Sequence, residues 1–176
     1  ALANIMRKYI QKTFILVFTL ASISAMPCEC NFIKEVNQAV KSSDYVLSGE
    51  VILIEYIQTI EKNGKITEIV KTNSRKDLNM FNGRILAKIT FKATEIFKGK
   101  KRKKEVIVYT GSSGGGDCGY YFKPNENYII YAYKDSWYTK ELRKKDKAYK
   151  KILYTDTCTR TQLQNKKEIK SLRNLK

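Results

Sequence analysis

The stretch Cys28-Glu29-Cys30 holds two of the four cysteines in this chain of 176 residues, and the other two, Cys118 and Cys158, lie far downstream. A bridge within the stretch would close a strained loop, so Cys28 and Cys30 are each expected to pair with one distant cysteine. The sequence is compatible with both ways of making those pairs. Whether disulfides form at all depends on the compartment, which the preceding residues indicate.

An apolar N-terminal segment predicts export. Basic residues come first, followed by an apolar run from Phe14 to Ala21 and small residues through Ala25, an order typical of a secretory signal. The competing interpretation is a membrane anchor, but the apolar stretch Thr13–Ala25 is shorter than the roughly 17 to 25 residues that span a bilayer. We therefore expect translation to start at Met6, a signal peptide within residues 1–25, and a protein that is secreted or held in the cell envelope.

Export places the cysteines in an oxidising compartment, where they more often form disulfides than bind a metal. A structural zinc site is the competing use. It is disfavoured because the chain has no histidine and because zinc ligands favour pairs separated by about two to four residues. We therefore expect two disulfides, no resident metal and no cofactor in a single domain that covers residues 26–176.

The composition narrows the function. Residues 1–25 carry three basic and no acidic side chains, so the +17 charge of the whole chain becomes +14 from residue 26 onward. Without histidine, the chain cannot assemble a Ser-His-Asp triad, a Cys-His pair or a histidine-based zinc helix. Ser112 and Ser113 have no candidate base among their sequence neighbours. These features predict a basic binding protein rather than an enzyme.

Apolar patterning predicts a β-rich fold. Apolar and polar side chains alternate from Ile85 to Thr94, which is typical of a half-buried strand. Tyr45–Ile57 is rich in β-branched and aromatic residues, with an expected bulge at Gly49, and Asn63-Gly64 favours a tight hairpin after it. Three further segments are expected to continue the sheet: Val106–Tyr109, Tyr120–Phe122 and Tyr128–Tyr133.

Helices are expected at both ends of the domain. A short N-terminal helix that ends at Ser42-Ser43-Asp44 is predicted because four apolar residues share one helical face. These residues are Phe32, Val36, Ala39 and Val40. A C-terminal helix packed by one narrow apolar face is predicted within residues 162–175. Its apolar residues are Leu163, Ile169, Leu172 and Leu175.

Residues 134–153 interrupt this regular pattern, because they mix aromatic side chains with a dense set of lysines. We treat them as a basic insertion. About five strands with two flanking helices then predict a small OB-fold-like β-barrel, closed or partly closed.

A series of short motifs runs through the chain. They are Cys28-Glu29-Cys30, Ser43–Val51, Ile96–Gly99, Val108–Gly111, Asp117–Gly119, Tyr128–Ala132 and Tyr154–Thr161. Together they resemble the netrin-like (NTR) domain of the tissue inhibitors of metalloproteinases, in its single-domain secreted form. The resemblance covers roughly residues 28–175. It implies that Cys28 pairs with Cys118 and that Cys30 pairs with Cys158.

The resemblance also implies that the protein inhibits a zinc metalloendopeptidase. In that family the free amino group and carbonyl of an N-terminal cysteine chelate the protease zinc, and the next side chain enters the specificity pocket. Here those roles would fall to Cys28 and Glu29. Because chelation needs a free amine, it requires a mature N terminus at Cys28 rather than at Met26. The implied contact edge also contains Cys30, Gly116, Asp117, Cys118 and Gly119.

The competing hypothesis is a basic binding module for acidic glycans, anionic surfaces or protein partners. Positive charge is concentrated in two clusters, Lys100-Lys101-Arg102-Lys103-Lys104 and Arg143-Lys144-Lys145. Such density attracts polyanions through summed long-range charge. Nucleic acid is not expected as the partner: an OB-type barrel would bind it through stacked aromatics in a basic groove, and the twelve tyrosines can equally pack a barrel.

Overall fold

A computed structural model describes residues 28, 30, 33, 35–63, 65–79, 83–100, 104–112, 117–134, 142, 144 and 152–175. Within these residues the chain is mostly β-sheet with two short helices, so the predicted all-β class with flanking helices is confirmed. The expected signal peptide and most of the expected insertion lie outside the described residues. In the described ranges, no helix combines the length and the apolar character needed to cross a bilayer.

The sheet is built around one long central strand. The elements, in chain order, are α1 (Val36–Ser42), β1 (Tyr45–Lys62), β2 (Lys65–Thr72), a 3-10 turn (Arg75–Asp77), β3 (Arg84–Lys98), β4 (Glu105–Gly111), β5 (Asn127–Ala132), β6 (Leu153–Tyr154), β7 (Gln162–Leu163) and α2 (Lys166–Arg173). Strand β1 pairs with β3 along one edge, and β5 and β2 share its other edge. The sheet order is therefore β6-β4-β3-β1-β5-β7, with β2 beside β1.

The sheet is not a closed barrel. Of the two predicted forms, closed and partly closed, the closed one is therefore wrong. The two outermost strands of the sheet, β6 and β7, are each two residues long, too short for a ladder that would complete the circle. One isolated bridge joins Tyr133, just after β5, to Tyr154 in β6 through two hydrogen bonds of 2.9 Å. The described residues thus form five longer strands and two short ones, and the short ones have too few residues to show a sequence period.

The main strands and turns lie where the sequence predicts them. Ala87, Ile89 and Phe91 in β3 are all buried, as the alternating pattern requires, but Leu86 and Thr90 at the intervening positions are buried as well. Asn63 has a φ of 52° at the hairpin between β1 and β2, a conformation that tight primed turns need. The pairing of β1 with β3 shifts register between Ser48 and Gly49, at the expected bulge.

Tyr120–Phe122 forms no strand, so this prediction is wrong. The Tyr120 amide donates to the side-chain Oγ1 of Thr110 at 2.7 Å rather than to a neighbouring strand. The Tyr120 and Phe122 rings pack against the core instead, whereas Tyr121 is 78% exposed. The Phe122 ring centroid lies 5.2 Å from that of Phe91 and 4.9 Å from that of Tyr128. Aromatic packing therefore fixes this segment in place of a ladder.

Both helices pack on the same face of the sheet. Ala39 of α1 and Ile169 and Leu172 of α2 are buried against Val46 and Tyr131. The first helix ends at Ser42, as predicted, but the second is shorter than its apolar pattern indicated. Two of its four predicted contact residues lie outside it and are exposed: Leu163 is in β7 and Leu175 follows the helix.

The expected insertion contributes to the core. Leu142 and Ile152 are both buried and pack against Ile57, Leu86 and Tyr109. These contacts cover the outer face of the sheet near the end of β4. The main core lies on the opposite face and joins residues from β1, β3, β4 and β5.

Candidate functional site: the disulfide-clamped N-terminal edge

Two disulfides attach the N-terminal segment to the sheet. Cys28 is bonded to Cys118 with a Cα–Cα distance of 5.7 Å, and Cys30 is bonded to Cys158 with a Cα–Cα distance of 4.9 Å. The prediction of two disulfides is confirmed, and the cysteines pair as the family resemblance implies. We call Cys28, Cys30 and the loop 117–119 the N-terminal edge.

The two loops that receive these bonds are themselves joined by hydrogen bonds. The Cys118 carbonyl accepts from the Thr157 amide at 2.9 Å and from the Thr157 hydroxyl at 3.1 Å. On the other loop, Asp156 Oδ1 accepts from the amides of Cys158 and Thr159 at 2.9 and 3.0 Å. The Tyr133 hydroxyl fixes the second oxygen of Asp156 at 2.6 Å. The two disulfides therefore attach to loops that are held together by hydrogen bonds.

Glycine is required where the 117–119 loop crosses the end of β4. A Cβ atom on Gly119 would lie 1.8 Å from the Gly111 carbonyl oxygen, so any side chain would force the two backbones apart. Asp117 Oδ1 accepts from the Gly119 amide at 3.2 Å, and Cys118 between them has a φ of 53°. Asp117 and Gly119 thus shape the loop that presents Cys118.

An ion pair behind the edge holds the segment after Cys30. The Arg160 guanidinium bonds both oxygens of Glu168, at 2.6 and 2.8 Å, and its Nη1 donates to the Ile33 carbonyl at 3.3 Å. The Tyr131 hydroxyl donates to the same carboxylate at 2.6 Å. Burial alone would raise the pKa of Glu168, but the hydrogen bonds from Arg160 and Tyr131 outweigh it and hold that pKa below its usual value. Helix α2 is in this way linked to the N-terminal segment.

A small cavity of about 160 Å³ adjoins the edge. Asp117, Gly119 and Tyr120 line it on the loop side, and Ala87 and Ile89 line it on the sheet side. At about 160 Å³ the cavity is smaller than the roughly 300 to 1,000 Å³ of typical ligand pockets, so it marks a recess beside the edge rather than a ligand site.

The structure brings only some of the predicted site residues together. Cys28, Cys30, Asp117, Cys118 and Gly119 lie at one place, whereas Glu29 and Gly116 lie outside the described residues. Three cations of the two basic clusters lie within the described residues, and all three are exposed: Lys100, Lys104 and Lys144. The remaining predicted cations are also outside the described residues: Lys101, Arg102, Lys103, Arg143 and Lys145.

The sequence patterns assign no role to Glu168 and include Arg160 only within the Tyr154–Thr161 motif. One signal could have identified Glu168, because it is the only acidic residue after Asp156 in a stretch rich in lysine and arginine. A single acidic residue among so many cations indicates an ion pair with one of them.

The edge offers contacts rather than an obvious reaction centre. None of the described parts of the chain brings together three His, Cys, Asp or Glu side chains that could hold a metal ion, and all four cysteines are disulfide-bonded. The chain matches no family model, and it has no significant match among curated proteins.

Proposed function

We propose that this protein is an exported binding domain of the NTR/TIMP-like type, and that it inhibits a zinc metalloendopeptidase through its N-terminal edge. The observation that carries the proposal is the clamp, in which Cys28 and Cys30 are tied to two loops that are bonded to each other. A segment held in this way loses little freedom on binding, which favours affinity.

The proposal includes a partly closed OB-fold-like barrel. Two features support it: the long strand β1 pairs along both edges, and the Tyr133–Tyr154 bridge links the segment after β5 to β6. In this arrangement the N-terminal edge would lie at the rim of the barrel, beside the 160 Å³ cavity, where a protease could reach it.

The inhibitory chemistry rests on the amine and carbonyl of Cys28. A catalytic zinc keeps one coordination position open for water or substrate, and it accepts nitrogen and oxygen ligands. A free Cys28 amine could take that position in place of the water, and the Cys28 carbonyl oxygen could bind as a fifth ligand, because a catalytic zinc can expand to five-coordinate. Glu29 would then enter the specificity pocket. An amide nitrogen lacks an available lone pair, so Met26-Pro27 must be removed for this mode of binding.

The decisive experiment compares two mature forms of the same chain, one beginning at Cys28 and one beginning at Met26. Both are tested against a panel of zinc endopeptidases, and mass spectrometry identifies which N terminus the exporting cell produces. We expect the form beginning at Cys28 to inhibit at least about tenfold more strongly. No inhibition by this form at micromolar protein would refute the proposal, and equal inhibition by both forms would exclude chelation through the amine.

A second candidate function is polyanion binding without protease inhibition. It is favoured by the net charge of +14 from residue 26 onward and by the exposure of Lys100, Lys104 and Lys144. Retention on a heparin-like column should fall when the cations of residues 100–104 and 143–145 are neutralised. Unchanged retention would remove these clusters from the binding site.

A further inference from the structure

A wide groove lies between helix α2 and the sheet, and it shares no lining residue with the smaller cavity. Its volume is about 990 Å³, and it is lined by cations and by side-chain amides. The cations are Lys166, Lys170 and Arg173, and the amides include Asn127, Gln164 and Asn174. None of these residues belongs to the N-terminal edge or to the two basic clusters named from the sequence.

The three cations lie on one face of α2. Positions 166, 170 and 173 are spaced by four and three residues, so their side chains follow one another over about 10 Å of helix. The Arg173 guanidinium forms an ion pair with the Glu95 carboxylate, with 2.9 Å between Nη2 and Oε2. This ion pair offsets the positive charge of Arg173. Lys166 and Lys170 are exposed, and neither makes an ion pair with another described residue. Among the residues that the structure describes, the groove therefore presents two ammonium groups without an ion-pair partner.

The rest of the lining is suited to a polyhydroxylated molecule. An amide side chain both donates and accepts hydrogen bonds, as a sugar hydroxyl does. The backbone N–H of Gln164 donates to the backbone carbonyl of Asn127 at 2.9 Å. This hydrogen bond holds the two residues side by side. Leu163 adds an apolar surface that is 55% exposed, suited to the carbon-bound hydrogens of a sugar ring.

We propose that this groove binds an acidic carbohydrate chain, with Lys166 and Lys170 contacting its sulfate or carboxylate groups. Single-stranded nucleic acid would require aromatic side chains for base stacking, and the described lining contains none. The proposal is independent of protease inhibition. It shares a ligand class with the second candidate function but rests on different residues.

The test uses the full mature chain and a fluorescent, size-fractionated heparin oligosaccharide at near-physiological salt. Lys166→Glu and Lys170→Glu are compared with Lys167→Glu, which makes the same charge change at an exposed position of the same helix outside the groove lining. A Lys100→Glu variant tests the cluster in the β3–β4 connection, and Gln164→Ala tests hydroxyl recognition. A single-stranded oligonucleotide and phosphatidylserine vesicles serve as alternative probes.

We expect Lys166→Glu and Lys170→Glu each to weaken oligosaccharide binding about fivefold more than Lys167→Glu does. Gln164→Ala should also weaken it, and protease inhibition should be unchanged in all of these variants. Equal effects of the three helix variants would mean that only net charge matters, which overturns the proposal. It is also overturned if Lys100→Glu has the largest effect, if wild type does not bind the oligosaccharide, or if the oligonucleotide or vesicles bind more tightly.

Discussion

The carboxylate of Glu168 connects three parts of the molecule at the scale of a single residue. It receives the Tyr131 hydroxyl from β5 and the Arg160 guanidinium, which in turn reaches the Ile33 carbonyl of the N-terminal segment. The side chain of Glu168 is only 6% exposed. A buried charge of this kind is tolerated because its partner is bidentate, and removing one member leaves the other uncompensated.

Glu168→Gln should therefore lower the free energy of unfolding by about 3 kcal/mol, as measured by urea denaturation. The matched control is Glu95→Gln, which breaks the ion pair with the exposed Arg173 and should cost at most about 1 kcal/mol. Equal losses of unfolding free energy in the two variants would show that burial does not increase the contribution of the Glu168 ion pair to stability.

The same carboxylate predicts a dependence of stability on acid. Its pKa is lower in the folded protein than in the unfolded chain, because the hydrogen bonds from Arg160 and Tyr131 outweigh the opposing effect of burial. The stability it contributes is thus complete above the unfolded pKa of about 4.3 and is lost as the pH falls through the folded value. The difference in unfolding free energy between wild type and Glu168→Gln should shrink below about pH 4. A difference that stays constant down to pH 2.5 would contradict this assignment.

At the scale of elements, the sequence predicts the strands, bulges and turns that depend on neighbouring residues. The strand β3, the bulge at Gly49 and the turn at Asn63 follow from side-chain period and backbone preference, and the structure contains all three. The predicted half-burial of β3 is wrong at Leu86 and Thr90, which are also buried. Tyr120–Phe122 has the composition of a strand, yet ring packing and the Thr110 hydroxyl hold it off the sheet. Such tertiary contacts leave no periodic signal in one sequence.

The crossing of the 117–119 loop over β4 gives a prediction at this scale. Gly119→Ala places a Cβ against the Gly111 carbonyl, so the loop must move and the attachment point of Cys28 moves with it. We expect a loss of about 1 to 3 kcal/mol in unfolding free energy together with weaker protease inhibition by the form beginning at Cys28. Lys123→Ala, an exposed change in the same β4–β5 connection, should leave both nearly unchanged. Wild-type stability in Gly119→Ala would mean that the two backbones are free to separate.

At the scale of the whole molecule, the sequence predicts a basic, disulfide-bonded domain, because charge and cysteine count are sums over the chain. It does not predict where the charge forms a groove, since Lys166, Asn127 and Thr94 are separated by dozens of residues and meet only through the pairing of β5 with β7 and the docking of α2. Likewise, the cysteine spacing left two pairings open, and only the family resemblance selected the pairing that the structure contains.

The two disulfides close loops with sequence separations of 90 and 128 residues, so each should restrict the unfolded chain strongly. In the chain-entropy account, loops of this length contribute about 4 to 5 kcal/mol each, with slightly more for the longer one. Cys28→Ser/Cys118→Ser and Cys30→Ser/Cys158→Ser should therefore show similar, large losses of unfolding free energy in urea titrations. If the clamp serves the proposed inhibition, each pair of substitutions should also weaken inhibition by the form beginning at residue 28. Inhibition is measured at a temperature at which the variant is still folded. A stability loss below about 1 kcal/mol for either pair would mean that the N-terminal segment is held mainly by the Arg160 contact and the hydrogen-bonded loops rather than by the disulfides.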